Sequence, residues 1–298
     1  MLTAVIPTRN RPDDLVKAVV SVREQIRQPE ELIIVDQSIG DESRNLIEDL
    51  MSDCEFIKLV YIHDPVISGL VEAKRVAAEK AEGDIICFLE DDVILSPNYL
   101  EQIELGFKEK SNMLGCSGVI TNFHNPSTLY RYMHGLFFQG IFKDPRPKLF
   151  IKPEYGSEKI VLSDVLCGGL SAWKKEVLST IPFDVENEFF MFEDMEFSTR
   201  VVEKYGHRLY INQKAQLEHH CSTVNRDPHG LRQKRKLTES ILFYKKRAGW
   251  HGAKRGLAFA LIWWFAESVL RAIKTFSIMP VRGYIQGILT GISKKVVG

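Results

Sequence analysis

Apolar runs alternate with amphipathic segments along the first part of the chain. Residues 2–7, 31–36 and 85–89 each contain an apolar run with β-branched side chains, which predicts strands buried on both faces. Between these runs, apolar residues recur at helical spacing within residues 15–22 and 69–81. This β-α-β alternation predicts an α/β fold with a mostly parallel sheet covered by helices.

The pattern is less regular further along the chain. Glycine-rich turns are expected at 115–118, and the aromatic and proline residues of 121–160 indicate an irregular insertion with a short helix near 129–138. A third strand is expected at 56–62, before the insertion. After the insertion we expect a strand and a helix start within 171–178, a helix from 193 to about 205 and a strand at 209–211, and residues 215–218 then lead to His219 and His220.

Three consecutive carboxylates, Glu90, Asp91 and Asp92, follow the run at 85–89. Unpaired charges cannot continue into a core, so they are expected at the carboxyl end of the strand, where open α/β sheets bind ligands. Like charges this close repel one another unless a cation lies among them, and carboxylate oxygens suit Mg2+ or Mn2+ better than zinc. A solvated acidic turn is the alternative, which the apolar residues on both sides disfavour.

Further residues with possible chemistry lie in the second half. Glu193 and Asp194 follow an apolar run and open a helix, where they would act either as catalytic acids or simply as charges stabilised by the helix dipole. Gly168 and Gly169 permit close approach of the backbone to a ligand. His219 begins a histidine pair, which is more often structural, although a neutral imidazole can complete the coordination of a metal.

Residues 226–298 form a basic tail with 15 Lys and Arg residues against three acids. Such an asymmetry suggests an anionic partner surface. The apolar run 256–266 has 11 residues, short of the roughly 20 needed to cross a bilayer. We therefore expect amphipathic helices that dock on an anionic membrane without spanning it, with basic clusters at 232–236 and 245–247 near the lipid phosphates.

Two details of the tail point to its partners. Trp263 and Trp264 suit the interfacial layer of a membrane. Nucleic acid fits the sign of the charge, but the apolar faces argue against it, and we expect no nucleic-acid partner. Alternatively, the tail helices pack on the rest of the chain or on a partner subunit, which would allow an oligomer.

Cysteine usage and the N-terminus indicate the compartment. The five cysteines show no metal-binding spacing, and we expect Cys87 and Cys167 to be buried free thiols, typical of a reducing compartment. The chain enters a strand at residue 2 without a basic, cleavable leader, so no secretory signal is expected. The predicted location is cytoplasmic, peripheral on the inner face of the cell membrane.

The order of these motifs over residues 1–225 resembles a family 2 glycosyltransferase of the Rossmann-like GT-A fold. The resemblance implies a nucleotide-binding half at 1–120 and an acceptor-binding half at 121–225, followed by a C-terminal helical, amphipathic extension. The site residues that it implies are Pro7, Thr8, Arg9, Asp36, Lys74 and Asp91 for the nucleotide, Asp92, Glu90 and His219 for the metal, Gly168 and Gly169 for the sugars, and Asp194, supported by Glu193, for catalysis.

The activity that the resemblance implies is transfer of a sugar from a nucleotide-diphosphate sugar to a saccharide or lipid-linked acceptor, in cell-surface polysaccharide or glycolipid assembly. One base without a second nucleophilic carboxylate implies inversion at the anomeric carbon. A metal-dependent nucleotidyl or phosphoryl transferase is an alternative, but the chain has no GxxxxGK[ST] loop. The other is a membrane-docked, non-catalytic sugar-nucleotide binding protein, for which loss of Asp92 or Asp194 would be expected.

Overall fold

The computed structural model describes residues 1–122, 127–146, 159–187, 189–222, 224 and 227–297. The chain contacts divide it into two compact units. The described parts of the first unit are 1–122, 159–184, 197–222 and 224, and those of the second unit are 127–146, 185–187, 189–196 and 227–297. The roles predicted for residues 1–225 and 226–298 stay predictions.

Strands and helices alternate through the first third of the chain, and helices dominate its end. In chain order the elements are β1 (Leu2–Thr8), α1 (Pro12–Arg23), β2 (Glu31–Asp36), α2 (Glu42–Met51), β3 (Lys58–His63), α3 (Leu70–Lys80), β4 (Ile85–Phe88), β5 (Val93–Leu95), α4 (Tyr99–Glu109), β6 (Gly115–Ile120), α5 (Thr128–Gly135) with a π-helical continuation at Leu136–Ile141, β7 (Ile160–Ser163), a short 3-10 turn at Gly168–Leu170, β8 (Ser171–Lys174), α6 (Lys175–Thr180), α7 (Glu193–Tyr205), β9 (Leu209–His219), α8 (His229–Lys246), α9 (Ala253–Thr275) and α10 (Met279–Ser293).

The first unit is built on one mixed sheet in the order β3-β2-β1-β4-β8-β6-β9-β5, with β7 paired to β9. Strands β1, β2, β3 and β4 pair with one another in parallel. Strand β8 runs antiparallel to β4 and β6. Residues such as Ile6 and Ile34 are fully buried in its core. The predicted α/β fold with a sheet flanked by helices is confirmed. Because β1, β2 and β4 are parallel, they end at one edge of the sheet, which carries the candidate site.

The glycines at 115–118 lie in a strand, so the prediction of turns there is wrong. A Cβ atom at Gly115 would lie 2.7 Å from the ring of Trp173, and one at Gly118 would overlap the carbonyl of Ala215. Glycine is therefore needed because β6 passes close to its neighbours, not because the chain turns. The strand expected at 209–211 is longer than predicted, since β9 continues to His219.

The two cysteines expected to be buried differ. Cys87 lies in β4 and is fully buried, as predicted. Cys167 is exposed, so that prediction is wrong. It occupies the position just before the 3-10 turn, whose residues Gly168, Gly169 and Leu170 are buried.

The described part of the second unit is helical. The predicted C-terminal helical region is confirmed as α8, α9 and α10, and α5 confirms the short helix expected near 129–138. Helix α10 approaches α8 through Gly283, Gly287 and Gly291, where an added Cβ would meet the backbone or side chains of α8. The parts of the predicted insertion at 123–126 and 147–158 lie outside the described residues.

Several tail side chains expected at a lipid surface have partners within the second unit, and their contact with lipid stays a prediction. Lys236 pairs with Glu267 at 2.8 Å, and Lys246 pairs with the buried Glu196 at 3.1 Å. The ring of Trp263 packs edge-on against Tyr130 of α5. Trp264 also has partners within this unit. Its indole N–H donates to Ser240 Oγ, and the Lys236 ammonium lies over its ring. Lys236 and Glu196 are buried, and burial of these charges is favourable only because each has a partner of opposite charge.

Helix α9 has 23 residues, twice the length of the apolar run seen in the sequence. Among the described residues, it is the one helix long and apolar enough to cross a membrane, judged by length and composition alone. Its exposed side is apolar, with Ile262, Phe265, Leu270 and Ile273 all facing solvent. Helix α10 also exposes an apolar stripe, formed by Ile285, Leu289 and Ile292.

Candidate functional site

The acidic motif emerges where the sequence analysis expected it. Strand β4 ends at Phe88, and the three carboxylates then lead into β5. Strand β5 pairs antiparallel with β9, which places Val93 opposite His219. The backbone N–H of His220 also donates to the Asp92 carbonyl at 2.8 Å. This register brings Asp92 beside His219, although the two residues are far apart in the sequence.

Glu90, Asp92 and His219 form a compact trio. The His219 Nε2 atom lies 3.0 Å from Glu90 Oε2 and 3.0 Å from Asp92 Oδ1. One ligand atom from each residue lies within 4.8 Å of the others. Asp92 Oδ1 is buried and, among the described residues, has no partner with hydrogen-bond geometry. These ligand types and this spacing fit a divalent cation.

The electrostatics of the trio already favour positive charge at this point. The pKa of His219 is raised to about 10, mainly by its hydrogen bond to Asp92 and, as the second cause, by that to Glu90. Burial disfavours the charge of Asp92, but His219 and the N–H of Ser222 outweigh it and lower the pKa of Asp92 to about 2. Two carboxylates thus stabilise one protonated imidazole, and a divalent cation bound there would take over part of that stabilisation in competition with the proton.

Asp91 points to a different set of partners. Its carboxylate accepts hydrogen bonds from Thr8 Oγ1 and from Arg11 Nη1, each at 2.8 Å. Burial raises the pKa of Asp91 to about 6, while Arg11 and Thr8 act in the opposite direction. Arg11 also donates to the carbonyl of Val224. Asp91 therefore ties the loop after β1 to the acidic motif.

Arg11 is the main residue of this site that the sequence analysis missed. Asn10 lies in the left-handed region with φ 53, and Arg11 occupies the position before α1. The guanidinium is thereby directed to Asp91. A cation in the loop following β1, facing an acidic motif after β4, was the available signal. Ser222, whose N–H donates to Asp92 Oδ2 at 2.7 Å, gave no signal because any residue type supplies that group.

The other residues predicted to bind nucleotide lie at or near the same sheet edge. Asp36 ends β2 in register with Thr8 and is fully buried. Its carboxylate accepts hydrogen bonds from Tyr61 Oη at 2.7 Å and from the Ser38 N–H at 2.8 Å. Pro7 is buried in β1, whereas Arg9 is exposed. Their contacts with a nucleotide stay predictions.

Lys74 and the two glycines form one local arrangement. The Lys74 ammonium is buried and donates to the Gly168 carbonyl at 2.9 Å. The next residue, Gly169, accepts a hydrogen bond from the backbone N–H of Glu90 at 3.0 Å. Residues predicted to bind nucleotide, sugar and metal therefore touch one another through this turn.

Glu193 and Asp194 belong to the second unit and open α7, as predicted. Glu193 is buried and Asp194 is half-buried. Asp194 Oδ1 accepts a hydrogen bond from the N–H of Met195 at 2.7 Å. The dipole of α7 stabilises both negative charges at this end. Their roles as base and supporting acid stay predictions.

The sheet and the trio define an α/β protein with an acidic motif at the carboxyl edge of its parallel strands, and the ligand types of this motif suit a divalent cation. The family model of Glycosyl transferase family 2 matches residues 3–178. The chain belongs to this family, which confirms the resemblance seen in the sequence.

Individual relatives agree with the family. The chain is 27% identical over 118 residues to an uncharacterized glycosyltransferase of Haemophilus influenzae, which covers 40% of this chain and 46% of that protein. It is 29% identical over 91 residues to the GalNAc(5)-diNAcBac-PP-undecaprenol beta-1,3-glucosyltransferase of Campylobacter jejuni, covering 30% of this chain and 29% of that protein. The matched region thus spans less than half of either relative.

The fold is also similar to that of a solved structure. The mannosyltransferase PcManGT of Pyrobaculum calidifontis, in complex with GDP-Man and Mn2+, superposes with a TM-score of 0.63. The match covers 98% of this chain and 87% of that chain at 14% identity, so it shows a shared GT-A fold.

Proposed function

We propose that the protein transfers a sugar from a nucleotide-diphosphate sugar to an acceptor hydroxyl, with inversion at the anomeric carbon. The observation that carries this proposal is the trio of Glu90, Asp92 and His219 at the carboxyl edge of the sheet. The family membership supports it. A diphosphate leaving group develops negative charge that has to be stabilised, and the trio offers the place to do so.

The chain supplies distinct groups for each part of this reaction. Asp92, Glu90 and His219 would hold Mg2+ or Mn2+, which when bound offsets the charge of the diphosphate. Asp36 and the loop after β1 orient the nucleotide. Asp194 takes the proton from the acceptor hydroxyl, a poor nucleophile until a positioned base acts on it. Asp194 lies in the first turn of α7, where the helix dipole stabilises the negative charge of its carboxylate.

The acceptor that we propose is a saccharide or a lipid-linked sugar of a cell-surface polysaccharide or glycolipid. The name of the Campylobacter jejuni relative specifies an undecaprenol-linked acceptor for that protein. In the present protein, the apolar stripes of α9 and α10 support a peripheral position on the inner face of the cell membrane. Lys254, Arg255 and Lys274 are exposed on α9 and complement anionic lipid.

Nucleotide sugars and the metal provide the direct test. Candidate donors are screened with Mn2+ for thermal protection and for release of the nucleoside diphosphate in the presence of lipid extracts. Transfer is expected with one donor, and it should be lost in excess chelator and in Asp92→Ala. Full activity of Asp92→Ala, or of the native protein in chelator, would contradict the assigned metal site. A protein that binds a donor tightly and transfers nothing would instead support the binding-only alternative.

A further inference from the structure

Glu239, in the middle of α8, makes an unusual set of hydrogen bonds. Its Oε2 atom accepts from the backbone N–H groups of Phe190, Met191 and Phe192 at 3.1, 2.8 and 2.9 Å. The residue is 4% exposed. A single buried carboxylate oxygen therefore satisfies three consecutive amides of a segment that has no secondary structure of its own.

These three amides directly precede α7. The Phe192 carbonyl accepts the N–H of Glu196, which closes the first turn of the helix. That turn contains Asp194. The Glu196 side chain, in the same turn, pairs with Lys246 at the end of α8. Helix α8 thus holds the start of α7 at two points, one before the helix begins and one within its first turn.

The three amides favour the charged form of Glu239, whereas its burial opposes the charge. Three donors converge on one oxygen, and hydrogen bonds to a charged acceptor are about twice as strong as those between neutral groups. The pKa of Glu239 is raised to about 7. Burial is the largest cause of this rise, and the three amides, followed by Arg235, act in the opposite direction. Arg235 stacks on the ring of Phe190 at 4.6 Å and pairs with Asp227 at 3.0 Å, which encloses the segment from the outer side.

We propose that Glu239 is a positioning residue that fixes the segment 190–192 and thereby sets the location of Asp194. The function of Asp194 in this statement rests on the proposed glycosyl transfer. The inference also gives α8 a role apart from membrane docking, since this helix of the basic tail orients the turn that carries the proposed base. Displacement of a reacting group by about 1 Å can cost roughly 100-fold in rate.

The structural part of the proposal is tested by hydrogen–deuterium exchange on the full-length protein. In Glu239→Gln, a neutral amide replaces the carboxylate at the same size, and exchange of the 190–192 amides should become at least tenfold faster. Glu239→Ala should have a larger effect, and circular dichroism shows whether each variant is folded. Glu267→Gln is the matched control, because it removes another acid that binds α8, through Lys236, but does not touch this segment. Unchanged exchange in both Glu239 variants would overturn the proposal.

The functional part is tested by kinetics. Glu239→Gln should lower kcat for transfer about tenfold, while the donor nucleotide is bound with unchanged affinity, and Glu267→Gln should retain the native rate. In the double variant with Asp194→Asn, transfer should be no slower than in Asp194→Asn alone, because both changes remove the same contribution.

The outcomes separate the two proposals. Faster exchange with full transfer activity in Glu239→Gln would overturn the positioning role and leave the proposed function intact. Multiplicative losses in the double variant would also overturn it, since Glu239 would then act independently of Asp194. An Asp194→Asn protein that transfers sugar at the native rate would refute the proposed base, and with it the role of Glu239 toward that base, whatever the exchange data show.

Discussion

Glu90 and Gly169 contact each other through both backbone and side chain. The Glu90 N–H donates to the Gly169 carbonyl at 3.0 Å, and the Glu90 side chain fills the space that a Cβ atom at position 169 would need. The same Glu90 side chain reaches His219. Gly169 is therefore required by the packing of a proposed metal ligand, a role separate from the sugar contact that the resemblance implies.

This contact predicts the effect of Gly169→Ala. The added methyl group has to displace the Glu90 side chain, which removes one of three proposed ligands. Mn2+ affinity, measured by calorimetry, should fall about tenfold, the usual order for disturbing the support of a metal ligand. Gly40→Ala serves as the control, because a Cβ at Gly40 meets no atom within 4 Å. Equal Mn2+ affinity in Gly169→Ala and the native protein would show that Glu90 does not bind the metal.

Asp194→Asn tests the proposed base. The asparagine keeps the size of the side chain and its oxygen can still accept the Met195 N–H, but it cannot take up a proton. Transfer should fall roughly 10²- to 10⁴-fold, with donor affinity unchanged. Glu193→Gln is the comparison, and the larger loss identifies the base. Product stereochemistry is an independent measurement, in which retention at the anomeric carbon would contradict single displacement.

Local pattern was sufficient for part of this site. Runs of β-branched residues identified the strands that end near Thr8, Asp36 and Glu90. A parallel strand that is buried on both faces needs such a nearly continuous apolar run. The neighbourhood of Asp92 and His219 was different. It depends on the short strand β5 and its register with β9, which are set by long-range pairing. The resemblance to a family supplied His219, not the hydrophobic pattern.

The tail shows the same limit. The sequence predicted amphipathic helices in the tail, and in α9 Glu267 does form ion pairs, with Lys236 and Arg271. Composition alone assigned the basic and tryptophan side chains to lipid. In the structure Trp264 and Lys236 pack against each other, because a partner helix supplies their contacts. Which face of an amphipathic helix is left exposed depends on what packs beside it.

The buried carboxyl of Glu239 predicts a pH dependence of stability. Its pKa is about 7 in the folded protein and 4.5 is its ordinary value. Between these values the folded state holds a proton that the unfolded state has lost, so the free energy of unfolding should fall as pH rises from 4.5 to 7. The fall is at most about 3 kcal/mol. Urea denaturation at several pH values should show it as a changing difference between the native protein and Glu239→Gln. Parallel curves for the two proteins would contradict the raised pKa.

The exposed apolar side of α9 predicts that the protein binds an anionic membrane. Ile262 is 58% exposed and Ile273 is 66% exposed on the apolar side of α9, so both can insert into the lipid interface without disturbing the packing of the second unit. Full-length protein should float with vesicles of phosphatidylglycerol and phosphatidylcholine. Ile262→Gln with Ile273→Gln should bind at least tenfold more weakly. The matched control is Ile26→Gln with Ile39→Gln, which changes two exposed isoleucines of the first unit, 70% and 87% exposed, and should bind as the native protein does.

Salt and alkaline extraction distinguish the modes of attachment. High salt should weaken binding only in part, because apolar insertion is not screened. Carbonate at high pH should release a peripheral protein from cell membranes, whereas a spanning α9, which its length and composition permit, would remain in the pellet. Retention in the pellet would therefore show that α9 spans the membrane and does not merely dock on its surface. Protein that ignores vesicles and forms a stable dimer without detergent would show instead that a second copy covers the stripe on α9.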